Sequence, residues 1–104
     1  MANLPTYHLT HKAVEDLTHI WEYTVEAWSE QQADNYYNML IACCQKIATN
    51  PRLFGTSYDE VAEGLLGYRA GKHVIFYRTI ADGEIVVIRI LHQRMDFKHR
   101  MLND

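Results

Sequence analysis

The stretch from Gly67 to His92 leaves this chain few folds to choose from. Two runs rich in β-branched and aromatic side chains, Val74 to Thr79 and Glu84 to Leu91, flank Asp82-Gly83, a pair that tolerates the positive φ of a tight hairpin. Ala70-Gly71-Lys72 marks a second turn just ahead of them. The expectation is a meander of three strands, Leu66 to Ala70, His73 to Thr79 and Glu84 to His92, with everything upstream covering one face. Period 2 along the last run puts Val86, Ile88, Ile90 and His92 on one side and Ile85, Val87, Arg89 and Leu91 on the other. Both sides are apolar in the middle, as in a central strand, and the face left uncovered is where function is expected.

Upstream, Tyr7-His8-Leu9 reads as a short extended piece, and Thr10 is placed to cap a helix with its hydroxyl. Val14, Leu17, Ile20 or Trp21, Val25 and Trp28 recur at steps of three and four, which predicts a core-facing helix of about 18 residues with Glu15, Asp16, Glu22 and Glu26 largely off the stripe. Ser29 and Gln32 have the spacing of a capping box, so a second helix begins almost at once. Its stripe is Ala33, Tyr36 or Tyr37, Leu40, Ile41, Cys44, Ile47 and Ala48, and it stops at Asn50-Pro51, where proline disfavours a helical predecessor. Arg52 to Gly64 reads as a surface loop with one helical turn. The predicted architecture is α+β, in the order β-α-α-β-β-β, with the helical hairpin packed on one face of a small, mainly antiparallel sheet and residues 1–104 forming a single domain. Met95, Asp96, Phe97 and the basic tail either fold over the open face or are covered by a partner.

Of the 104 residues, 48% are hydrophobic and 22% charged, which excludes disordered and fibrous classes. Met1 to Thr10 has neither a basic start nor an apolar run, and the expectation is a soluble, cytoplasmic protein without a membrane partner. Cys43 and Cys44 are helix neighbours pointing about 100° apart, poor geometry for a disulfide, and are read as reduced packing residues. The formal charge of −3 conceals a split. Up to Leu66 the chain has 3 basic against 9 acidic residues, whereas Gly67 to Arg100 has 7 against 3. A basic sheet and tail opposite an acidic helical layer is a statement about partners.

Metal-free RNA cleavage needs a base, an acid and cations for the phosphate, and His92 with Arg69, Arg78, Arg89 and Arg94 offers such a set. No carboxylate pair, nucleophile elbow or Gly-rich phosphate loop is present. The six histidines lack ligand spacing with Cys or acidic partners, so neither a metal nor another cofactor is expected.

Several ordered segments resemble one family. They are Thr10-x-x-Ala13-x-x-Asp16-Leu17-x-x-Ile20-Trp21-x-Tyr23, Ala48-x-Asn50-Pro51, Gly64-Leu65, Gly67-Tyr68-Arg69-x-Gly71-Lys72-His73-Val74-Ile75-Phe76-Tyr77-Arg78 and Ile88-Arg89-Ile90-Leu91-His92-x-x-Met95-Asp96. The set is similar to the ParE toxins of the RelE/ParE superfamily over nearly the whole chain. The resemblance implies the toxin of a type II toxin–antitoxin pair, neutralised by a ParD-like antitoxin and inhibiting DNA gyrase by binding, with nucleic acid engaged only through those partners. On that reading the antitoxin's acids meet Arg69, Arg78, Arg89 or Arg94, and Arg89, Arg94, Met95, Phe97, Lys98 and Arg100 contact the target. The superfamily's other branch consists of ribosome-dependent mRNA endonucleases, for which Arg78, Arg89 and His92 are the candidate catalytic residues. That branch typically carries a tyrosine after the last strand, where this chain has only Phe97. An inactive, interaction-only homologue is the remaining alternative.

Overall fold

The structure is a computed structural model that describes residues 6–81 and 83–102. Strand β1 (Thr6–Leu9) leads into helix α1 (His11–Ala27), and helix α2 (Glu30–Thr49) returns alongside it. A single turn, α3 (Pro51–Phe54), and a two-residue strand, β2 (Thr56–Ser57), precede the meander β3 (Leu66–Ala70), β4 (His73–Ala81) and β5 (Glu84–His92). A short helix, α4 (Phe97–Leu102), follows. The sheet order is β1-β5-β4-β3-β2, antiparallel throughout except for the parallel β1–β5 pair. The α+β order expected from the sequence is therefore present, α3 being the helical turn read at the start of the loop, with β2 and α4 added to it.

The local chemistry explains these boundaries. Thr10 caps α1 by accepting the Ala13 N–H at 3.1 Å, and Ser29 caps α2 by accepting from Gln32 at 3.0 Å. Asn50 ends α2 and caps α3, which begins with Pro51, a residue with no amide proton to orphan there. The β3–β4 loop is Gly71-Lys72, in which Gly71 alone takes a positive φ, 60°, as a hairpin of the II′ kind requires. A β-carbon at Gly71 would also lie 2.7 Å from the Tyr36 hydroxyl. In the next hairpin Gly83 has a positive φ, while its expected companion Asp82 lies outside the described residues.

The helices bury Ala13, Leu17, Leu40, Cys44, Ile47 and Ala48 against Ile75, Tyr77, Ile85, Val87 and Ile90 of the sheet. The α2 stripe agrees with its sequence reading, but α1 is rotated from its own: Val14 is 46% and Trp28 76% exposed, whereas Ala13 is fully buried. The rotation is set at the helix start, because Thr10 donates its hydroxyl proton to the Ile88 carbonyl at 2.7 Å and its N–H to Val87 at 3.0 Å. That docking turns Asp16, expected off the stripe, onto β5.

Strict alternation along β5 also fails. Phe76 pairs with Arg89 but Tyr77 pairs with Val87, so Ile88 is an extra residue, a bulge, and Ile90 joins Ile85 and Val87 on the helical side. Nor is the opposite face bare. Leu65, Val74, Phe76 and Leu91 form a second cluster there, roofed by Tyr58, Val61 and Ala62 of the loop and by Phe97 and Met101 of α4. Phe97 meets Phe76 edge-on with ring centroids 4.9 Å apart, and Tyr58 completes the aromatic group at 5.1 Å from Phe76. Of the two fates open to the tail, folding over the sheet is the one observed for Phe97 and Met101.

Candidate functional site

The described basic residues of the last third fall in different places. Arg69 and Arg78 lie on the face roofed by the loop and α4, since β4 alternates Val74, Phe76, Arg78 on that side and Arg69 pairs with Val74. Arg69 donates to the Gln93 side chain, and Arg78 donates to the Glu63 carbonyl at 2.5 Å. Arg89 is only 8% exposed. Its Nε and Nη2 donate to the two Asp16 oxygens at 2.7 and 2.9 Å, and the same carboxylate accepts the Ile90 N–H at 3.0 Å. Asp16 thus does for the β5 edge what β1 does earlier: β1 ends at Leu9, opposite Val87, and beyond it α1 side chains satisfy the strand. Arg89 therefore drops out of both surfaces for which it was nominated and instead holds α1 to the sheet.

Arg94, Lys98 and Arg100 remain exposed beyond β5. A turn brings the chain round, with the Met95 N–H donating to the His92 carbonyl at 2.9 Å and the Arg94 N–H to His92 Nδ1 at 3.2 Å. Asp96 then starts α4 by accepting the His99 N–H at 3.2 Å. Met95 is 37% exposed beside these cations, so it fits the expectation of an outward apolar group. Phe97 does not, because the aromatic cluster under α4 holds it. Its position is that of a peg that fixes the basic turn on the sheet.

His92 faces the helices. It pairs with His73, with ring centroids 5.3 Å apart, and the His73 Nδ1 lies 2.6 Å from the Tyr36 hydroxyl of α2. That hydroxyl also accepts the Lys72 N–H at 3.0 Å and lies 3.5 Å from the Ala70 carbonyl. Burial, then the neighbouring His92, pushes the His73 pKa down to about 4, against a smaller opposing pull from Asp16. The three candidate nuclease residues are consequently not brought together. Arg78 and His92 lie on opposite faces, about 17 Å apart along the strand at roughly 3.4 Å per residue, and Arg89 is committed to Asp16. Among the described residues no group of three His, Cys, Asp or Glu is placed to hold a metal, and no helix is long and apolar enough to cross a membrane.

The same fold occurs in chains of two solved toxin–antitoxin systems. The chain superposes on a chain of the chromosomal ParDE toxin–antitoxin system from P. aeruginosa with a TM-score of 0.74 at 17% identity, covering 88% of this chain and 98% of that one. It superposes on a chain of the RelBE2 toxin–antitoxin complex of Mycobacterium tuberculosis with a TM-score of 0.63, also at 17% identity, covering 88% and 100%. The sequence narrows the class. Residues 7–97 match the family described as the ParE toxin of the type II toxin–antitoxin system parDE, and the chain belongs to that family. It is 40% identical over 90 residues to Toxin ParE1 of Mycobacterium tuberculosis (strain H37Rv), covering 86% of this chain and 91% of that protein. Toxin ParE1 of Caulobacter vibrioides is 37% identical over the same coverage.

Sequence reasoning nominated the C-terminal basic segment and did not join it to α1. Lys12, Asp16 and His19 share a groove with His92, Met95 and Arg100. Their spacing of four and three along one helix face was the available signal.

Proposed function

We propose that this ParE-family toxin acts by binding DNA gyrase, through the exposed group Arg94, Met95, Lys98 and Arg100, and is neutralised by a ParD-like antitoxin. The family membership supports the target class. The observation that carries the choice of a binder over a nuclease is the separation of Arg78, Arg89 and His92 onto different faces and into different bonds. Phe97 adds to it, being a packed aromatic without a hydroxyl where the nuclease branch has tyrosine. Cations around a half-exposed methionine suit anchoring in a pocket of a large protein. In this reading Arg69 and Arg78 rim the antitoxin's path, Arg89 is internal, and Phe97 positions the contact residues without touching the target. Purified protein added to gyrase should block supercoiling and accumulate cleaved DNA, and Arg94→Glu should weaken both effects with circular dichroism unchanged. Supercoiling and cleavage that stay normal at a large molar excess of the toxin would remove the gyrase assignment.

A further inference from the structure

The apolar stripe that α1 carries in its sequence is left largely outside the fold. Between α1 and α2 lies an open groove of about 480 Å³, lined by Leu17, Trp21 and Tyr37 and by no residue of the sheet. Val14 and Trp28, 46% and 76% exposed, continue the line of Trp21 two helical turns to either side. Thr18 stands on one rim and Asp34 and Asn38 on the other, and steps of four add Glu22 and Glu26 to the first rim and Glu30 to the second. Residues 13–45 hold six acidic residues and no Lys or Arg. The two lysines of these helices, Lys12 and Lys46, lie at the end away from the connecting turn. Asp34 accepts the Trp21 indole N–H at 2.9 Å, and among the described residues Glu22, Glu26, Glu30 and Asp34 enter no ion pair. An aromatic groove between carboxylate rims suits an occupant that is cationic and apolar at once. The far end of the same chain carries such a group, since Arg94, Lys98 and Arg100 are exposed around Met95, itself 37% exposed.

We propose that a second copy of this chain seats its basic turn on the helical hairpin of the first, Met95 lying on Trp21 and Tyr37 while Arg94, Lys98 and Arg100 face the carboxylate rims. Pairing of two hairpins, stripe on stripe, would cover the same apolar surface but would bring two sets of unpaired carboxylates together, a juxtaposition that opposes association. The basic turn covers the groove and neutralises it. Each copy offers one hairpin and one turn, so the contact is heterologous and builds rings or short chains. A turn seated on two helix faces covers less than the about 800 Å² per partner of a standard stable complex, so the association is reversible, and its exposed charges make it sensitive to salt. Arg94, Met95, Lys98 and Arg100 are also the group assigned to gyrase, so self-association withdraws them from the target. That consequence rests on the gyrase reading, whereas the contact itself does not.

The test is sedimentation velocity of the purified whole protein over the micromolar range at low and high salt. The mean mass of the parent should rise with concentration at low salt and rise less at high salt. Glu22→Lys with Glu26→Lys should leave the protein monomeric, and so should Arg94→Glu with Arg100→Glu. An equimolar mixture of these two double variants should associate again, because each then offers the charge that the other lacks. Glu60→Lys with Glu63→Lys, the same change of charge on the loop, should leave association as in the parent. Circular dichroism confirms that every variant folds. A parent that stays monomeric, a mixture that fails to associate, or an equal loss in the loop variant would each overturn the inference. So would association that survives or strengthens in Glu22→Lys with Glu26→Lys, the outcome expected of stripe-on-stripe pairing. Gyrase inhibition is scored in a separate reaction, where the Glu22→Lys, Glu26→Lys protein should act at a lower concentration than the parent. Inhibition without self-association overturns the contact alone, and self-association with no inhibition by either protein supports the contact and counts against the gyrase reading.

Discussion

Replacing Asp16 with alanine removes one carboxylate and undoes three bonds between α1 and β5. The side chains of Asp16 and Arg89 are 12% and 10% exposed, so water does little to replace what is lost. Taking away one partner of such a pair leaves a poorly solvated guanidinium and costs about 3–5 kcal/mol. The Ile90 N–H also loses its acceptor on the strand edge. Against a total stability of about 5–15 kcal/mol, this change brings the protein close to unfolding. At about 4–8 °C per kcal/mol for a domain of this size, the melting temperature should fall by about 12 °C or more. Adding Arg89→Met to Asp16→Ala should recover part of the loss, because the stranded charge goes with it, and the amide alone leaves a cost of about 1–3 kcal/mol. Urea unfolding of the parent, both single variants and the double, followed by circular dichroism, closes the cycle. An Asp16→Ala protein within about 1 kcal/mol of the parent, or single costs that simply add, would show that the pair does not couple α1 to β5.

Three further outcomes follow from buried groups. The His73 pKa is lower in the folded chain, at about 4, than its ordinary 6.5, so the unfolded chain binds the extra proton first. Stability from this group is complete above about pH 6.5 and is lost as pH falls towards 4, and His73→Gln should flatten that part of a plot of urea midpoint against pH. A slope unchanged by the substitution would mean another group is responsible. Burial, aided by Cys43, pushes the Cys44 thiol up to about 12, and burial also raises that of Cys43. Native protein at pH 8 should therefore be labelled slowly by a thiol reagent, at Cys43 before Cys44, whereas rapid labelling of Cys44 would contradict its burial. The Tyr77 hydroxyl donates to the Pro51 carbonyl at 2.6 Å, and a β-carbon on Gly55 would lie 2.1 Å from that hydroxyl. Gly55→Ala should accordingly destabilise more than Tyr77→Phe, which costs about 1 kcal/mol, and the double variant should be more stable than Gly55→Ala alone in thermal melts.

Local chemistry made much of the fold readable. The β-branched runs and Gly71 give three strands at their observed starts, and Thr10, Ser29 and Asn50-Pro51 bound the two long helices. The phase of α1 was not readable, because Ala13 carries little hydrophobic signal yet fits the closest approach to the sheet, while the larger Val14 and Trp28 point outward. The bulge at Ile88 was hidden by apolar residues on both faces of β5, so period 2 had nothing to fail against. Asp16 and Arg89 stand 73 positions apart and carry no mark of each other, which is why the arginine looked like a surface cation. Phe97 looked like an exposed anchor for the same reason, since Tyr58 and Phe76 reach it only in the folded chain. The basic turn itself, Arg94 to Arg100, was legible because uncompensated local charge needs no tertiary information.

The central claim, that this ParE-family toxin arrests growth through gyrase and not by cutting message, is tested most directly in cells expressing it. Covalent gyrase–DNA complexes and cuts in ribosome-bound mRNA should be measured in the same cultures. The account predicts that cleaved DNA attached to gyrase accumulates within the period of arrest, with the message intact. Arrest with mRNA cleaved at ribosomes and no increase in gyrase-linked breaks would contradict it.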